Sequence, residues 1–327
     1  MQNFNARVIE EIVKQSPKND KNPVNYLTRV FSMSKETAYR RIRNQIPFSI
    51  EEVVVIAKHF NLSVDEMLDL NSCESYPLNK GLMEPADIYS NLLKDSIELM
   101  EKLAVSSQMK ITAALNMIPF RVLPGKLLFK LDYCNYMYSV GKISMISTQF
   151  SDIEVPAVVD QLHDKSVACF NRLNNITCII DNMLFTNIIK KIHYYHRLRF
   201  ISKEDVEILQ AELFELLDIY EGLLRTGKNS AGSGYLFYCS FFNLESNMAF
   251  FEYDNNSFLK FWVCPESPLV LKNNHQIGDI QNRWFESKMR NSMLITKTTD
   301  IYQIEILKNI YQQILELTNP DLKYEFY

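Results

Sequence analysis

Hydrophobic positions near the N-terminus recur at the three- and four-residue spacing of amphipathic helices. The pattern predicts one helix within residues 1–15, a loop over 16–23 and then four short helices. These four helices are expected over residues 24–31, 35–44, 49–60 and 63–70. Ser34 is the expected N-cap of the second, and S-x-x-E capping boxes begin the third at Ser49 and the fourth at Ser63. Residues 1–72 are therefore expected to form a small helical domain.

The hydrophobic pattern is less regular after residue 72. Residues 73–118 are expected to form a polar linker followed by an amphipathic helix over 84–118. In residues 119–327 the pattern predicts a buried strand over 177–180 and helices over 127–140, 184–198, 203–227, 282–292 and 301–318. The aromatic-rich stretch 234–264 contains turn signals and predicts three antiparallel strands, with Pro268–Leu271 as a candidate fourth. The expected fold class is α+β, mainly α, with a small antiparallel sheet in the C-terminal domain.

Composition places the chain among ordinary globular proteins. Its 327 residues suggest about two domains, with 47% hydrophobic and 23% charged residues. No apolar run approaches the roughly 20 residues of a membrane span, so we expect no membrane partner. The polar N-terminus has no apolar segment of the secretory type, and we expect a cytoplasmic protein. Six cysteines without a CxxC pair favour free thiols over a disulfide framework or a metal site.

The net charge of −4 is unevenly distributed along the chain. Between Arg29 and Arg43, five basic residues stand against a single acidic residue, Glu36. A basic stripe on an otherwise acidic protein is typical of a small DNA-binding module joined to a larger, neutral body. The charge pattern therefore directs attention to the second and third predicted helices.

Segment Val24–Leu70 resembles the helix-turn-helix domain of Cro/phage-repressor-type (XRE-like) transcriptional regulators. The resemblance rests on a scaffold helix VNYLTRVF, a turn SMS, a recognition helix KETAYRRIRN and two packing helices that end in NLSVDEML. It covers about 50 of the 327 residues. Glycine is common in the turn and after the recognition helix of that family, whereas this chain has Ser32 and Asn44 there. Both residues are expected to adopt left-handed or nearly left-handed backbone.

The resemblance and the helical spacing together assign two faces to the recognition helix. Ala38 and Ile42 lie four residues apart and are expected to pack against Leu27 and Val30. The opposite face is expected to enter the major groove of double-stranded DNA, where the N-terminal residues of such helices approach base edges. The expected base contacts are Lys35, Glu36, Thr37 and Arg40. The expected phosphate contacts are Asn25, Arg29, Ser34, Arg41 and Arg43.

The resulting functional hypothesis is a sequence-specific DNA-binding transcriptional regulator. We expect a homodimer, because one recognition helix covers few base pairs and dimers read two half-sites. The predicted helix over 84–118 either joins two chains or packs within its own chain. The domain at 119–327 is expected to sense a small molecule or a protein partner. The alternatives are a C-terminal enzyme or protein-interaction domain, a structural DNA-binding protein, and a helical bundle that contacts only proteins.

Weaker motifs do not support catalysis, a cofactor or a metal. Segment 222–229 nearly matches a phosphate-binding loop, but it follows a predicted helix and has Asn229 in place of the Ser or Thr hydroxyl. Ala231-Gly232 matches the cleavage dipeptide of self-cleaving repressors, although no protease motif accompanies it. His193 and His196 provide two ligands without a visible third. We therefore expect a non-enzymatic protein with no catalytic residues.

Overall fold

The computed structural model describes residues 4–15, 22–60, 64, 73–75, 84–254, 256–264, 267–272, 275–298 and 301–318. The chain divides into two compact units, residues 1–79 and residues 80–327. Within residues 73–118, expected to form a linker and an amphipathic helix, the residues from 84 onward belong to the second unit.

The first unit is helical, as the N-terminal pattern predicts. Its elements are α1 (Phe4–Gln15), α2 (Pro23–Phe31), α3 (Lys35–Ile42), α4 (Ile50–Phe60) and a short strand β1 (Cys73–Ser75). One apolar core joins the four helices and includes the buried residues Val8, Ile12, Val24, Leu27, Ala38, Val53 and Ile56. The fourth helix expected after the loop, over 63–70, lies outside the described residues except for Val64.

The second unit combines a sheet with packed helices. Its helices are α5 (Pro85–Val105), α6 (Lys126–Ser139), α7 (Ala157–Phe170), α8 (Leu184–Arg197), α9 (Lys203–Thr226), α10 (His275–Arg290) and α11 (Ile301–Leu315). Short 3₁₀ turns cover Phe120–Val122 and Glu316–Thr318. Its strands are β2 (Lys110–Leu115), β3 (Ile176–Asp181), β4 (Tyr235–Ser240), β5 (Met248–Tyr253), β6 (Asn256–Cys264), β7 (Ser267–Lys272) and β8 (Ser292–Leu294). The mainly helical α+β class is confirmed.

The sheet is mixed and larger than the small antiparallel sheet expected from the sequence. The strand order in this unit is β7-β6-β5-β2-β3-β4-β8. Strands β2, β3 and β4 are parallel neighbours, whereas the β5–β6 and β6–β7 pairs are antiparallel. All six residues of β3 are buried, as is usual for a parallel strand covered on both faces. Parallel pairing joins segments far apart in the chain, so local turn signals do not reveal it.

The expectation of a helix over 84–118 is correct only as far as Val105. Residues 110–115 form β2, which pairs with β3 on one side and β5 on the other. A short apolar run such as Ile111–Leu115 has no periodicity that separates a buried strand from a buried helix. The apolar face of α5 packs inside its own unit, where Tyr89, Leu93 and Ile97 are at most 3% exposed. Of the two roles considered for this helix, the structure shows intramolecular packing.

Both faces of the sheet are covered. Helices α5, α6, α8 and α9 contribute to the large core on one face, together with inward residues such as Ile111, Cys178 and Phe237. Phe285 of α10 packs on the other face against Ala114, Ile179 and Phe250. In the part of the chain that the structure describes, no helix has the length and apolarity needed to cross a membrane.

Candidate nucleic-acid interface

The turn between α2 and α3 has the backbone geometry that the sequence predicts. Ser32 caps α2 with φ 50° and ψ 30°, in the left-handed region, so serine here adopts the conformation usually given to glycine. Ser34 begins α3, and its Oγ accepts a hydrogen bond from the backbone N–H of Thr37 at 3.1 Å. Asn44, with φ 61°, is also left-handed and follows the end of α3. The conformations of Ser32 and Ser34 thus shape the start of α3, and that of Asn44 shapes the chain just after its end.

The inner face of α3 anchors the helix to the core. Ala38 is fully buried beside Leu27, and Val30 and Ile42 pack against the same cluster. This arrangement confirms the inner face expected from the four-residue spacing. Because α3 is held through this face, its opposite side is available to solvent.

The outer face of α3 is exposed and mainly basic. Glu36, Arg40 and Arg43 lie at helical spacing on this side, and Lys35 is exposed at the first turn. Tyr39 shares the face at 47% exposure, and the guanidinium carbon of Arg43 lies 5.8 Å from the centre of its ring. The sequence analysis did not select Tyr39, although its spacing from Glu36 and Arg43 places it on the same side. We refer to Lys35, Glu36, Tyr39, Arg40 and Arg43 as the α3 outer face.

The remaining predicted contact residues surround this face or lie at its start. Asn25 and Arg29 are exposed on α2. Ser34 is exposed, and its Oγ lies 2.9 Å from Oγ1 of the half-buried Thr37. The two hydroxyl groups therefore already bond to each other, and a base contact by Thr37 stays a prediction.

Arg41 is directed into the unit rather than away from it. Its Nη2 lies 2.7 Å from Oε1 of Glu52 on α4, and its Nη1 donates a hydrogen bond to the backbone oxygen of Pro47. The guanidinium carbon lies 5.4 Å from the centre of the Phe48 ring. The phosphate contact expected of Arg41 stays untested, but the side chain already links α3 to α4.

Glu52 has a second role at the start of α4. Its Oε2 accepts a hydrogen bond from the backbone N–H of Ser49 at 2.8 Å, and its own N–H donates to Ser49 Oγ at 3.3 Å. This reciprocal pair is the capping box that the S-x-x-E spacing predicts. Glu52 thus joins the first turn of α4 to Arg41 of α3.

Asn5 of α1 holds the segment that follows the recognition helix. It is 2% exposed, and its Oδ1 accepts a hydrogen bond from the backbone N–H of Phe48 at 3.0 Å. Its Nδ2 donates to Asn44 Oδ1 at 2.8 Å and to the backbone oxygen of Ile46 at 3.2 Å. The sequence analysis missed Asn5. The available signal was a polar residue on the same helical face as Val8 and Ile12.

Replacing Asn5 with alanine is expected to destabilise the 44–48 segment by about 2 kcal/mol, because the buried N–H of Phe48 and the partly buried carbonyl of Ile46 lose their partner. Hydrogen–deuterium exchange of the full chain should show faster exchange at the Phe48 amide. The matched control is Asn25→Ala at an exposed position on α2, which should leave that amide protected. Unchanged exchange in Asn5→Ala would show that the three hydrogen bonds contribute little.

The second unit contains a separate candidate site, a cavity of about 400 Å³. Strands β2, β3, β5 and β6 form its floor, and α5, α6, α8 and the 117–122 segment form its walls. Most lining residues are apolar, and they include Leu92, Met100, Ile111, Leu131, Phe251 and Trp262. Its charged lining residues are Arg121, Asp132, Lys191 and Lys260. The volume lies within the range of about 300–1,000 Å³ typical of small-molecule pockets.

The weaker sequence motifs have structural explanations. Gly227 is left-handed, with φ 65°, and ends α9, so the loop-like segment around it is a helix C-cap. Asn229 Oδ1 accepts hydrogen bonds from the N–H groups of Ala231 and Ser233, which forms a closed turn. His196 Nδ1 lies 2.9 Å from the backbone oxygen of Ile201. Among the described residues, no group of three or more His, Cys, Asp or Glu side chains is arranged to hold a metal ion.

Comparison with known proteins identifies a family model that is similar to part of the chain. Residues 4–120 match the family model described as the BetR domain, a helix-turn-helix-like DNA-binding domain family. The matched span begins at α1, includes the α3 outer face and ends at Phe120 in the second unit. Neither the curated proteins nor the solved structures yielded a match to this chain.

Proposed function

We propose that this protein is a sequence-specific transcriptional regulator that binds double-stranded DNA through the α3 outer face. The observation that carries the proposal is the presentation of Lys35, Arg40 and Arg43 on an exposed helix that is anchored through Ala38. The similarity of residues 4–120 to a helix-turn-helix-like DNA-binding family supports it. A protein with this function acts where the DNA is, and we expect that compartment to be the cytoplasm. The proposal includes no catalysed reaction.

The arrangement of α2, α3 and the turn between them is of the Cro/phage-repressor type in this proposal. The short turn, the N-cap at Ser34 and the left-handed Ser32 support that assignment. In such domains the N-terminal part of the second helix reads base edges and flanking side chains bind phosphates. Lys35, Glu36 and Arg40 are therefore the proposed base contacts. Asn25, Arg29 and Arg43 are the proposed phosphate contacts.

The proposal includes a homodimer. A single recognition helix reads only a few base pairs, and two copies on half-sites one helical turn apart reach useful specificity. The second unit carries the regulatory role, and the cavity described above supports an effector of small-molecule size.

Selection of bound duplexes from a random library tests this proposal. The purified protein is mixed with the library, and the DNA that it retains is sequenced. The mass of the protein in solution is measured separately by light scattering. We expect two related half-sites about 10 base pairs apart, a dimeric mass, and affinity that falls steeply with salt.

Two double variants are compared in this experiment. One replaces two arginines of the first unit with alanine, and its matched control replaces two arginines of the second unit. Arg40→Ala/Arg43→Ala should abolish the enrichment, whereas Arg225→Ala/Arg290→Ala, at exposed positions of the second unit, should retain it. A monomeric mass with a single enriched site would contradict the dimer. Absence of enrichment in the parent protein would contradict DNA recognition and favour a role in protein contact.

A further inference from the structure

We propose that the cavity of the second unit binds an apolar carboxylate, and that the anionic group of this ligand pairs with Lys260. This inference deepens the proposed function, since it names the chemical class of the effector. It rests on a difference between two cationic side chains that line the cavity: Arg121 forms an ion pair within the protein, whereas Lys260 forms none with the described residues.

Arg121 already has an internal counter-ion. Its Nε lies 2.8 Å from Oδ2 of Asp132, and both side chains are largely buried. The hydroxyl of Tyr89 donates to the same carboxylate oxygen at 2.7 Å, and the Arg121 guanidinium carbon lies 4.8 Å from the Tyr89 ring centre. This cluster is neutral overall and complete, so it does not require a ligand.

Lys260 has no equivalent ion pair among the residues that the structure describes. Its Nζ contacts Ser96 Oγ at 3.4 Å and lies 5.4 Å from the Trp262 ring centre. Within the described ranges of the chain, no carboxylate forms an ion pair with it. Lys260 is half-buried, and even partial removal of an ammonium group from water without a counter-ion is costly. An anion in the adjoining cavity would supply the missing charge.

The groups around Lys260 determine how its charge depends on pH. Burial lowers the pKa of the Lys260 ammonium to about 8, the positive charge of Arg121 acts in the same direction, and Asp95 of α5 opposes them. Asp132 of α6 faces Arg121 rather than Lys260. Lys260 is thus mainly charged at pH 7 and mainly neutral at pH 9.

The uncharged residues that line the cavity indicate the chemical character of the remainder of the ligand, beyond its anionic group. The cavity walls are mainly aliphatic and aromatic, with Leu92, Ile111 and Phe251 among them. Amides such as Asn135 and Asn187 also line the space, but they carry no charge. A molecule with one anionic end and an apolar body matches this distribution. Lys191 of α8 also lines the cavity, and it has an interaction of its own within the protein.

Trp262 provides a direct measurement of occupancy. The chain has two tryptophans, so Trp284→Phe leaves Trp262, which lines the cavity, as the single indole. In this background, fluorescence is titrated with hexanoate, octanoate, decanoate and 4-phenylbutanoate, each compared with its alcohol. We expect at least one acid to saturate the signal and to bind at least tenfold more tightly than its alcohol at pH 7.

Lys260→Met is expected to remove the preference for the acid while retaining binding of the alcohol. The matched control is Lys110→Met on β2, where the lysine is exposed and paired with Glu252 outside the cavity. Affinity for the acid should fall about tenfold from pH 7 to pH 9 as Lys260 loses its proton, and Lys260→Met should abolish this dependence.

Two results would overturn the inference. The first is equal affinity for acid and alcohol with no effect of Lys260→Met, which would make the cavity a neutral apolar site. The second is absence of a saturable change with any acid. Neither result depends on DNA, so they leave the selection experiment to decide the proposed regulatory function separately.

Discussion

Arg40→Ala is expected to weaken binding to the selected DNA site by about 1–3 kcal/mol, or roughly 5- to 150-fold. Arg40 is exposed on the α3 outer face, and a guanidinium group there can donate two hydrogen bonds to a guanine edge. Loss of a base contact lowers specific affinity more than affinity for random DNA. The preference at one base position should also relax.

The test compares dissociation constants for the selected duplex and a scrambled duplex at one salt concentration. Arg290→Ala, which removes an exposed arginine from the second unit, is the matched control and should change neither constant. An equal loss on both duplexes would assign Arg40 to phosphate rather than to a base. No loss on either duplex would remove Arg40 from the interface.

Arg41→Ala is expected to have its main effect on the stability of the first unit, with a loss of roughly 2–4 kcal/mol. The side chains of Arg41 and Glu52 are only 14% and 18% exposed, and removal of one member of a largely buried pair leaves the other without its counter-ion. The Pro47 backbone oxygen and the Phe48 ring lose their contact with the guanidinium group as well. Native-state hydrogen exchange of α3 and of residues 43–49 measures this loss.

Arg41→Lys separates charge from geometry. Lysine keeps the charge but lacks the planar group that reaches Glu52 and Pro47 together, so an intermediate loss of protection is expected. DNA binding by Arg41→Ala should fall to the same extent on selected and scrambled duplexes, because fewer molecules have an ordered α3. Full protection of α3 in Arg41→Ala, with weaker binding to all DNA, would instead favour the phosphate contact expected from the sequence.

The sequence predicts the direction of the Arg40 side chain but not that of the Arg41 side chain. Arg40 and Arg41 are adjacent, and the helical period together with buried Ala38 places Arg40 outward. The period leaves Arg41 at the boundary of the two faces. Its direction depends on Glu52 and on the backbone of Pro47, which belong to elements that follow α3.

The sequence by itself determined the local features of this protein. The capping box at Ser49, the left-handed Ser32 and Asn44, and the packing of Ala38 against Leu27 depend on residues a few positions apart or on the conformational preference of one residue. Such features follow from short-range hydrogen bonds and helical spacing. The mainly helical fold class and the basic outer face of α3 were predictable for the same reason.

Only the tertiary structure decided the features that join distant segments. Asn5 bonds to Phe48, β2 pairs with β3 and β5, and Lys260 contacts Ser96 beside the cavity. The Asn5–Phe48 and Lys260–Ser96 contacts join residues about 40 and more than 160 positions apart, and the positive charge of Arg121 acts on Lys260 without requiring a direct contact between the two side chains. Pairing between such distant segments depends on the topology of the chain. It also depends on which polar groups lose their contact with water on burial and so need a partner in the protein. Local periodicity encodes neither of these.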